Sequence, residues 1–256
     1  MNIFNLEGKK GLVVGIANEH SIAYGAAKAF RAAGAELAIT YLNDKAEPHV
    51  RPLAESLDSP LILPCDVREE GGLEHVFGQI RDEWGRLDFL LHSIAFAPRE
   101  DLQGRVVDCS QAGFSLAMDV SCHSFIRMAR LAEPLMSGGG SLITMTFYGS
   151  EKVVEHYNLM GPVKAALESS VRSLAAELGP ARIRVNAVSP GPIRTRAASG
   201  IDRFDELLED AAKRAPQQSL VSIEEVSGLT AFLASDAAKA ITGGVHYVDH
   251  GYHIMG

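Results

Sequence analysis

Tyr157 and Lys164 are the two side chains of this sequence whose types and spacing most suggest chemistry. They are seven residues apart, close to two helical turns at ~3.6 residues per turn, which predicts that both lie on one face of a helix. An ammonium beside a phenol stabilises the phenolate and predicts a tyrosine pKa below its usual value of about 10. Such a tyrosine can donate a proton or a strong hydrogen bond to the oxygen of a reacting carbonyl. The alternative is an exposed amphipathic helix, because this spacing often arises by chance.

Short apolar strands alternate with helices along the whole chain. Strands are predicted at 11–15, 36–41, 61–65, 87–92, 141–145, 183–188 and 245–249. Helices are predicted at 21–33, 45–57, 69–84, 113–136, 157–178 and 222–234. Regular alternation is typical of a parallel sheet with helices on both faces. The predicted fold class is therefore α/β: a single-domain, Rossmann-like, doubly wound parallel sheet of about seven strands, covering residues 1–256.

Three local signals refine the helix predictions. Ser21 is expected to cap the first helix, and Ser222-x-x-Glu225 reads as a capping box that opens the last one. Pro162 lies between Tyr157 and Lys164, and proline is tolerated only near a helix start. The helix that carries Lys164 is therefore expected to begin close to Tyr157.

Composition and charge restrict the class of protein. The chain has 256 residues, 46% of them hydrophobic, and a net charge of -8, which argues against a nucleic-acid or anionic-membrane partner. No apolar run reaches the ~18 residues that would span a bilayer, and no secretory leader is recognisable. The three cysteines and nine histidines are scattered rather than set at metal-ligand spacing. We therefore expect a cytoplasmic protein without a metal site.

The turn after the first strand is the first candidate for binding a dinucleotide. Gly15 and Gly25 allow a tight turn, and free N–H groups at the helix start, with the Ser21 hydroxyl, favour a pyrophosphate. Residue 17 is alanine, so this is not a G-x-G-x-x-G motif, and the position in the first βα unit carries more weight than the glycines.

The ends of the next two strands suggest which dinucleotide is bound. The second strand ends at Tyr41-Leu42-Asn43 without the arginine or lysine that a ribose 2′-phosphate prefers, and the nearest base is Lys45. NADH is therefore expected rather than NADPH. Asp66, at the end of the third strand, can reach an adenine amino group, and it can also cap the following helix.

Two later strand ends complete the predicted edge. The small residues of the 92–97 stretch let backbone lie against a cofactor, and the prolines of the 189–195 stretch fix an extended course with free N–H groups. A long irregular stretch then follows a strand end, which is typical of a binding loop. We interpret residues 190–221 as a substrate lid.

Taken in order, these stretches resemble the short-chain dehydrogenase/reductase superfamily and, more narrowly, its bacterial enoyl-acyl-carrier-protein reductases. The resemblance rests on Gly15, Ser21-Ile22-Ala23-x-Gly25, Cys65-Asp66-Val67, His92-Ser93-Ile94, Tyr157-Asn-x-Met-Gly-x-x-Lys164 and Pro190-Gly-Pro-Ile-Arg-Thr195-x-Ala-Ala-Ser-Gly200. The Y-x6-K spacing is also that of this branch, in place of the more common Y-x3-K.

The resemblance implies NADH-dependent reduction of the trans-2 double bond of an enoyl thioester in fatty acid biosynthesis. It implies that Tyr157 stabilises the enolate and that Lys164 holds the nicotinamide ribose, with acyl carrier protein as the expected carrier and a homotetramer as the expected assembly. The implied cofactor-binding residues are Gly15, Ser21, Ile22, Asp66, Val67, Ser93, Ile94, Lys164, Ile193 and Thr195. The implied substrate-binding residues are Ala97, Phe147 and Tyr157.

Two departures from the family pattern concern the substrate. Phe147 stands where many relatives carry a second tyrosine; it either lines an acyl pocket or packs in the core, and Tyr148 should face the other side. The predicted lid helix, 201–210, holds five acids against Arg203 alone, which should repel an acidic carrier protein. Either the carrier docks elsewhere, the thioester has a different carrier, or this is only a solvated helix face. The alternative docking bases are Arg194, Arg196, Lys213 and Arg214.

Two rival functions remain open from the sequence. A carbonyl reductase or alcohol dehydrogenase of the same superfamily, acting on a 3-oxoacyl thioester or another carbonyl, needs a hydroxyl beside the tyrosine, and Thr144 and Thr146 are candidates. A non-enzymatic nucleotide-binding subunit would keep the fold without turnover, and the presence of both Tyr157 and Lys164 argues against it.

Overall fold

The computed structural model describes residues 4–195 and 198–255. Within them, seven strands form one sheet in the order β3-β2-β1-β4-β5-β6-β7, and every neighbouring pair is parallel. The strands are β1 Lys10–Val14, β2 Glu36–Tyr41, β3 Leu61–Pro64, β4 Phe89–His92, β5 Gly140–Met145, β6 Ile183–Pro190 and β7 Val245–Val248. The predicted α/β fold class is confirmed. The strand order reverses between β1 and β4, which is where such sheets open a ligand crevice.

Helices cover both faces of the sheet. They are α1 Ile22–Ala32, α2 Glu47–Glu55, α3 Gly72–Trp84, α4 Arg99–Gln103, α5 Gln111–Met118, α6 Ser124–Ala132, α7 Met160–Leu178, α8 Phe204–Arg214 and α9 Ile223–Ala234. Successive residues of a strand point to opposite faces. Leu90 of β4 accordingly joins the core under α3, α6 and α7, whereas Leu91 joins the core under α1, α2 and α9.

The predicted helix 113–136 is divided into four segments. A π-helical segment, Asp119–His123, separates α5 from α6, and the chain ends this stretch in a short 3-10 turn, Glu133–Leu135. Ser124, the first residue of α6, donates a 2.7 Å hydrogen bond from its hydroxyl back to the carbonyl of Val120 in the π segment. Side-chain bonds of this kind compete with the helical ladder, and periodicity alone does not reveal them.

The helix-start predictions had mixed outcomes. The capping box is confirmed, because the Ser222 hydroxyl accepts from the Glu225 N–H at 3.2 Å and a Glu225 carboxylate oxygen accepts from the Ser222 N–H at 2.7 Å. Helix α3 begins at Gly72, later than predicted, and its N-cap is Gly71 with φ of 80°. Asp66 therefore does not cap this helix.

The predicted lid stretch contains extended chain to Thr195, a short 3-10 turn at Ala198–Gly200 and helix α8. Helix α8 begins at Phe204, three residues later than expected, after Arg203 in the left-handed region. Its inner face packs through Ala211, together with Ala215 beyond it, into the cluster that contains Tyr157 and Met160. This stretch therefore lies against the part of the molecule that holds the candidate chemistry.

Among the helices described, none combines the length and apolar character needed to cross a lipid bilayer.

Candidate active site

Tyr157 lies on a turn and not on a helix. Helix α7 begins at Met160, whose N–H donates to the Tyr157 carbonyl at 3.1 Å. His156 and Asn158, on either side of Tyr157, have φ of 64° and 41°, in the left-handed region. The prediction that one helix carries both Tyr157 and Lys164 is therefore wrong, while the expectation that the helix begins close to Tyr157 is confirmed.

The Tyr157 ring is held by the segment that follows β5. It meets the Phe147 ring edge-on, with 4.7 Å between centroids, and the Tyr157 residue is only 8% exposed. A Cβ placed on Gly149 would come within 2.4 Å of the Tyr157 ring, so this position needs glycine for the close approach. Sequence reasoning missed Gly149, although a glycine after a strand end is a usable sign of tight packing.

Lys164 reaches the same strand end from α7. Its ammonium donates to the carbonyl of Met145, the last residue of β5, at 2.8 Å. Burial lowers the pKa of Lys164 to about 8, because a low-dielectric surrounding disfavours the charged form. The structure thus brings the phenol-bearing turn and the ammonium together around residues 145–149.

The pKa of Tyr157 moves opposite to the prediction. Burial raises its pKa, and the negative charge of Glu168 raises it further. Removing the phenol from water disfavours the phenolate, and nearby Lys164 does not reverse this. The predicted lowering is therefore wrong, and the group at this site is a neutral phenol that can donate a hydrogen bond.

Phe147 and Tyr148 face different neighbours, as alternation predicted. Phe147 is half-buried against Tyr157, whereas the Tyr148 ring packs on Tyr252 with 5.8 Å between centroids. Phe147 is thus the one of the two that contacts the candidate catalytic ring. Its assignment to an acyl pocket stays a prediction.

Both threonines of the rival carbonyl-reductase hypothesis are engaged elsewhere. The Thr144 hydroxyl lies 2.8 Å from His92 Nδ1, and the Thr146 hydroxyl donates to Glu168 at 2.6 Å. His92 Nε2 lies 2.8 Å from the Ser124 hydroxyl, and burial lowers the His92 pKa to about 3. The imidazole is therefore neutral and satisfied inside the core, which the sequence did not reveal.

Gly15 joins the first turn to the end of β4. Its φ is +120°, and a Cβ added there would lie 2.1 Å from the Ser93 carbonyl oxygen. The Ser93 N–H donates to the Val14 carbonyl at 2.9 Å, and this hydrogen bond joins the ends of β1 and β4. Backbone thus packs closely on backbone beside the crevice between β1 and β4, with the Ile94 side chain next to it. Cofactor binding by Gly15 and Ser93 stays a prediction.

Ser21 does not cap α1. It stands at the N-cap position, but its hydroxyl accepts from the N–H groups of Ala17 and Asn18 at 3.0 and 3.1 Å. The expected cap is therefore wrong: the hydroxyl folds the preceding loop instead. The Tyr24 and Gly25 N–H groups donate to the Ser21 carbonyl at 3.0 and 3.2 Å, which leaves the N–H groups of Ile22 and Ala23 to face an anion at the start of α1.

The Asp66 carboxylate is hydrogen-bonded to Arg68, two residues further along the chain. This carboxylate accepts from the Arg68 guanidinium at 2.9 Å and from the Arg68 N–H at 3.0 Å, and this side-chain bond lowers the pKa of Asp66. The next residue, Val67, accepts through its carbonyl from Arg127 at 2.7 Å. An adenine contact at Asp66 stays a prediction, with Arg68 as a competitor that sequence reasoning missed.

The remaining predicted site residues lie on two neighbouring segments. Ile94 and Ala97 are half-buried beyond β4, where the Ser121 hydroxyl holds the chain by accepting from the Phe96 N–H at 2.9 Å. Ile193 packs against the α1–α9 core, and the Thr195 hydroxyl accepts from the Ala198 N–H at 3.1 Å. The first pair follows β4 beside the β1–β4 crevice, and the second pair lies on the predicted lid stretch.

Comparison with known proteins places this geometry in a family. The family model described as Enoyl-(Acyl carrier protein) reductase matches residues 15–253. An enoyl-[acyl-carrier-protein] reductase [NADH] of Aquifex aeolicus is 48% identical, over 98% of this chain and 93% of that protein. One from Rhizobium meliloti is 47% identical, over 98% of this chain and 92% of the relative.

Solved structures agree with the sequence comparisons. The crystal structure of the Aquifex aeolicus NADH enzyme superposes with a TM-score of 0.95 at 48% identity, covering 98% of this chain and 99% of that one. The reductase of Anaplasma phagocytophilum, solved in complex with NAD, has a TM-score of 0.95 at 46% identity, covering 100% and 97%. This chain therefore belongs to the enoyl-(acyl carrier protein) reductase family.

Proposed function

We propose that this protein reduces the trans-2 double bond of an enoyl thioester with NADH, as a step of fatty acid synthesis. The observation that carries the proposal is the meeting of a neutral phenol, Tyr157, and a buried ammonium, Lys164, at the carboxyl end of β5. Relatives at 47–48% identity bear the name of this activity.

The first turn fits a dinucleotide. The Gly15 backbone packs directly on the Ser93 carbonyl, where a single Cβ would already collide, and the Ser21 hydroxyl does not cap the N–H groups of Ile22 and Ala23 that begin α1. Both features suit a pyrophosphate laid against main chain. When bound, NADH supplies the hydride that adds to the β-carbon of the enoyl group.

Tyr157 and Lys164 handle the charge that this addition creates. Negative charge moves to the thioester oxygen as the β-carbon gains hydride, and the Tyr157 hydroxyl donates a hydrogen bond to that oxygen. The raised pKa of Tyr157 keeps the phenol protonated, so the hydrogen is present when needed. Lys164, when protonated, keeps the local potential positive and would hold the cofactor's ribose. Protonation at the α-carbon completes the reduction.

The end of β2 supports NADH as the reductant. Leu42 is about half exposed there, and the Asn43 side chain accepts from the N–H groups of Lys45 and Ala46 at 3.1 Å each. A ribose 2′-phosphate gains most from a cationic fork at this position, which Leu42 and Asn43 do not offer.

The charges of the lid affect whether an acidic carrier protein can dock there. The acids of the lid all form exposed ion pairs: Asp202 with Arg203, Asp205 with Arg194, Glu206 with Arg203, Glu209 with Lys213 and Asp210 with Arg214. Three of the four bases predicted for docking are thus paired with lid acids, and Arg196 is outside the described residues. Exposed pairs are worth only ~0–1 kcal/mol, so a carrier protein can exchange them. We retain acyl carrier protein as the carrier.

A matched substrate panel tests this function. Crotonyl and acetoacetyl thioesters are each presented on acyl carrier protein and on coenzyme A, with NADH and NADPH, while loss of reduced nicotinamide absorbance is followed. We expect turnover of the crotonyl thioesters with NADH. Turnover of acetoacetyl thioesters alone would instead establish the carbonyl-reductase alternative, and failure of all substrates despite nicotinamide binding would indicate a non-enzymatic subunit.

We also propose that residues 1–256 act as one reductase domain with a lid at 190–221, in the cytoplasm and as a homotetramer. The packing of Ala211 against the Tyr157 cluster supports the lid. Fully exposed Val153 and largely exposed Val107 offer apolar surface for contact between subunits. Light scattering of the purified protein tests the assembly: a mass of one subunit would rule it out.

A further inference from the structure

Glu168 is a buried carboxylate for which the mechanism above has no use. It is 4% exposed and lies on α7, four residues beyond Lys164 and so on the same helix face. Buried carboxylates need hydrogen-bond donors, because water no longer solvates them. The hydrogen-bond donors to the Glu168 carboxylate therefore indicate its role.

Two hydroxyls meet on a single oxygen of Glu168. Thr146 and Ser150 each donate to Oε1, both at 2.6 Å. These two residues begin and end the five-residue segment that follows β5, which we call the 146–150 turn. A carboxylate that accepts two short bonds from both ends of a turn fixes the shape of that turn.

The 146–150 turn packs directly against the Tyr157 ring. Phe147 meets that ring edge-on at 4.7 Å, and the backbone of Gly149 lies against its edge. Three further bonds shape the turn: the Ser150 N–H donates to the Phe147 carbonyl, and the N–H groups of Glu151 and Lys152 both donate to the Tyr148 carbonyl. A shift of the 146–150 turn would therefore displace the Tyr157 hydroxyl.

Glu168 also faces titratable groups from three directions. Its negative charge raises the pKa of Tyr157, in the same direction as the larger effect of burial. It also raises the pKa of Lys164, but there burial has the larger and opposite effect, so that pKa is lowered overall. It contributes as well to the raised pKa of Tyr247 on β7. Lys164 in turn faces His92 from β4 and Cys122 from the π segment. Glu168 is therefore the acidic member of a buried group that includes both candidate catalytic side chains.

We propose that Glu168 is a positioning residue: it holds the 146–150 turn against Tyr157 through Thr146 and Ser150, and its charge balances Lys164. This inference rests on the proposed reductase function for its kinetic consequences. The turn geometry itself does not depend on the substrate.

Three variants separate the two contributions of Glu168. Glu168→Gln keeps an oxygen that can accept both hydroxyls but removes the charge. The double variant Thr146→Val with Ser150→Ala keeps the charge and removes both bonds. Glu168→Ala removes both. Glu177→Gln is the matched control, because Glu177 is an exposed glutamate on the same helix.

The kinetic expectations differ for each variant. Glu168→Ala and the double variant should lower kcat about 10–100-fold with KM changed little, because a misplaced donor costs rate rather than binding. Glu168→Gln should keep kcat within about threefold near neutral pH but move the alkaline limb of the rate profile down by about one pH unit. The double variant should leave that limb in place, and Glu177→Gln should change nothing.

Hydrogen exchange tests the same inference without substrate. The amides of Ser150, Glu151 and Lys152 should exchange faster in Glu168→Ala and in the double variant, and at the wild-type rate in Glu168→Gln. Wild-type exchange in the first two variants overturns the positioning role, even if no thioester is reduced. If wild-type protein reduces crotonyl thioester but all three variants match it in kcat and pH profile, the inference fails while the proposed function stands. If Glu168→Ala does not fold, the other two variants decide.

Discussion

The carboxyl end of β5 and the lid hold their charges in opposite ways. Around β5, Lys164 and Glu168 are buried, and their partners are a backbone carbonyl and two hydroxyls. On the lid, Arg194 and Asp205 form an ion pair at 2.6 Å in which both side chains are about 70% exposed. Buried charges are costly to leave unpaired, whereas exposed pairs are individually weak.

This difference separates two tasks. Transition-state stabilisation needs donors that do not reorganise, and burial with full hydrogen bonding provides that. Admission of a substrate needs a segment that can move at little cost, and weak exposed pairs permit it. We therefore expect substitutions at β5 to change turnover and stability strongly, and substitutions on the lid to change mainly KM and its dependence on salt.

The strongest test of the β5 side is Tyr157→Phe. Removing one preorganised donor typically lowers kcat by about 10²–10³. The phenyl ring keeps its contacts with Phe147 and Gly149, so thermal unfolding should shift little. Tyr148→Phe is the control, because that ring packs on Tyr252. Unchanged turnover in Tyr157→Phe would assign the hydrogen-bond donor elsewhere.

The next largest effect is expected at Gly15. Gly15→Ala forces a Cβ towards the Ser93 carbonyl in a backbone conformation that favours glycine. We expect NADH affinity to weaken at least tenfold and the protein to lose about 1–3 kcal/mol of stability. Calorimetric titration with NADH and denaturant unfolding measure the two effects. Gly71→Ala is the comparison: its φ is also positive but its Cβ would meet nothing within 4 Å, so only backbone strain remains.

An effect of intermediate size is expected from the pH dependence of stability that Lys164 contributes. Its pKa is lowered to about 8 in the folded protein from an ordinary value of 10.5, so the unfolded chain binds more protons between these values. Wild-type stability should therefore rise relative to Lys164→Met as pH increases from about 8 to 10, by about 2 kcal/mol. Over the same range kcat/KM should fall as the ammonium is lost. A stability difference that stays constant with pH would show that burial does not lower the pKa of Lys164.

The smallest effect is expected on the lid. Arg194→Ala breaks the exposed pair with Asp205 and should change stability by less than about 1 kcal/mol. With acyl carrier protein as carrier, KM should rise and lose part of its salt dependence, whereas kcat should hold. Arg81→Ala is the control, since Arg81 pairs with Asp82 away from the lid. A loss of stability as large as that of Gly15→Ala would remove the distinction between the two regions.

Much of the fold could be predicted because its signals are local and repeated. Alternating apolar strands and amphipathic helices specify a parallel sheet, and the capping box at Ser222 is a four-residue pattern with one structural meaning. The convergence of Gly15, Ser93 and the Tyr157–Lys164 pair on one edge follows from topology, because parallel strands end at the same edge.

Some failures concern a choice between two local partners, and others depend on partners far along the chain. Ser21 could cap its helix or fold its loop, and Asp66 could cap α3 or bind Arg68; in each case the local sequence permits both. The direction of the Tyr157 pKa shift depends on burial by Phe147 and on Glu168, neither of which is visible from the Tyr157–Lys164 spacing. Buried polar partners at long sequence separation, such as His92 with Thr144, leave no periodic pattern.

The left-handed residues on either side of Tyr157 have a consequence for how such enzymes diverge. Because a turn connects the phenol to Met160, the number of residues between it and Lys164 is not bound to helical phase. Insertions or deletions ahead of the helix can lengthen or shorten this connection while the ring keeps its place. The separation of Tyr157 from Lys164 is therefore set by the length of this turn as well as by the helix.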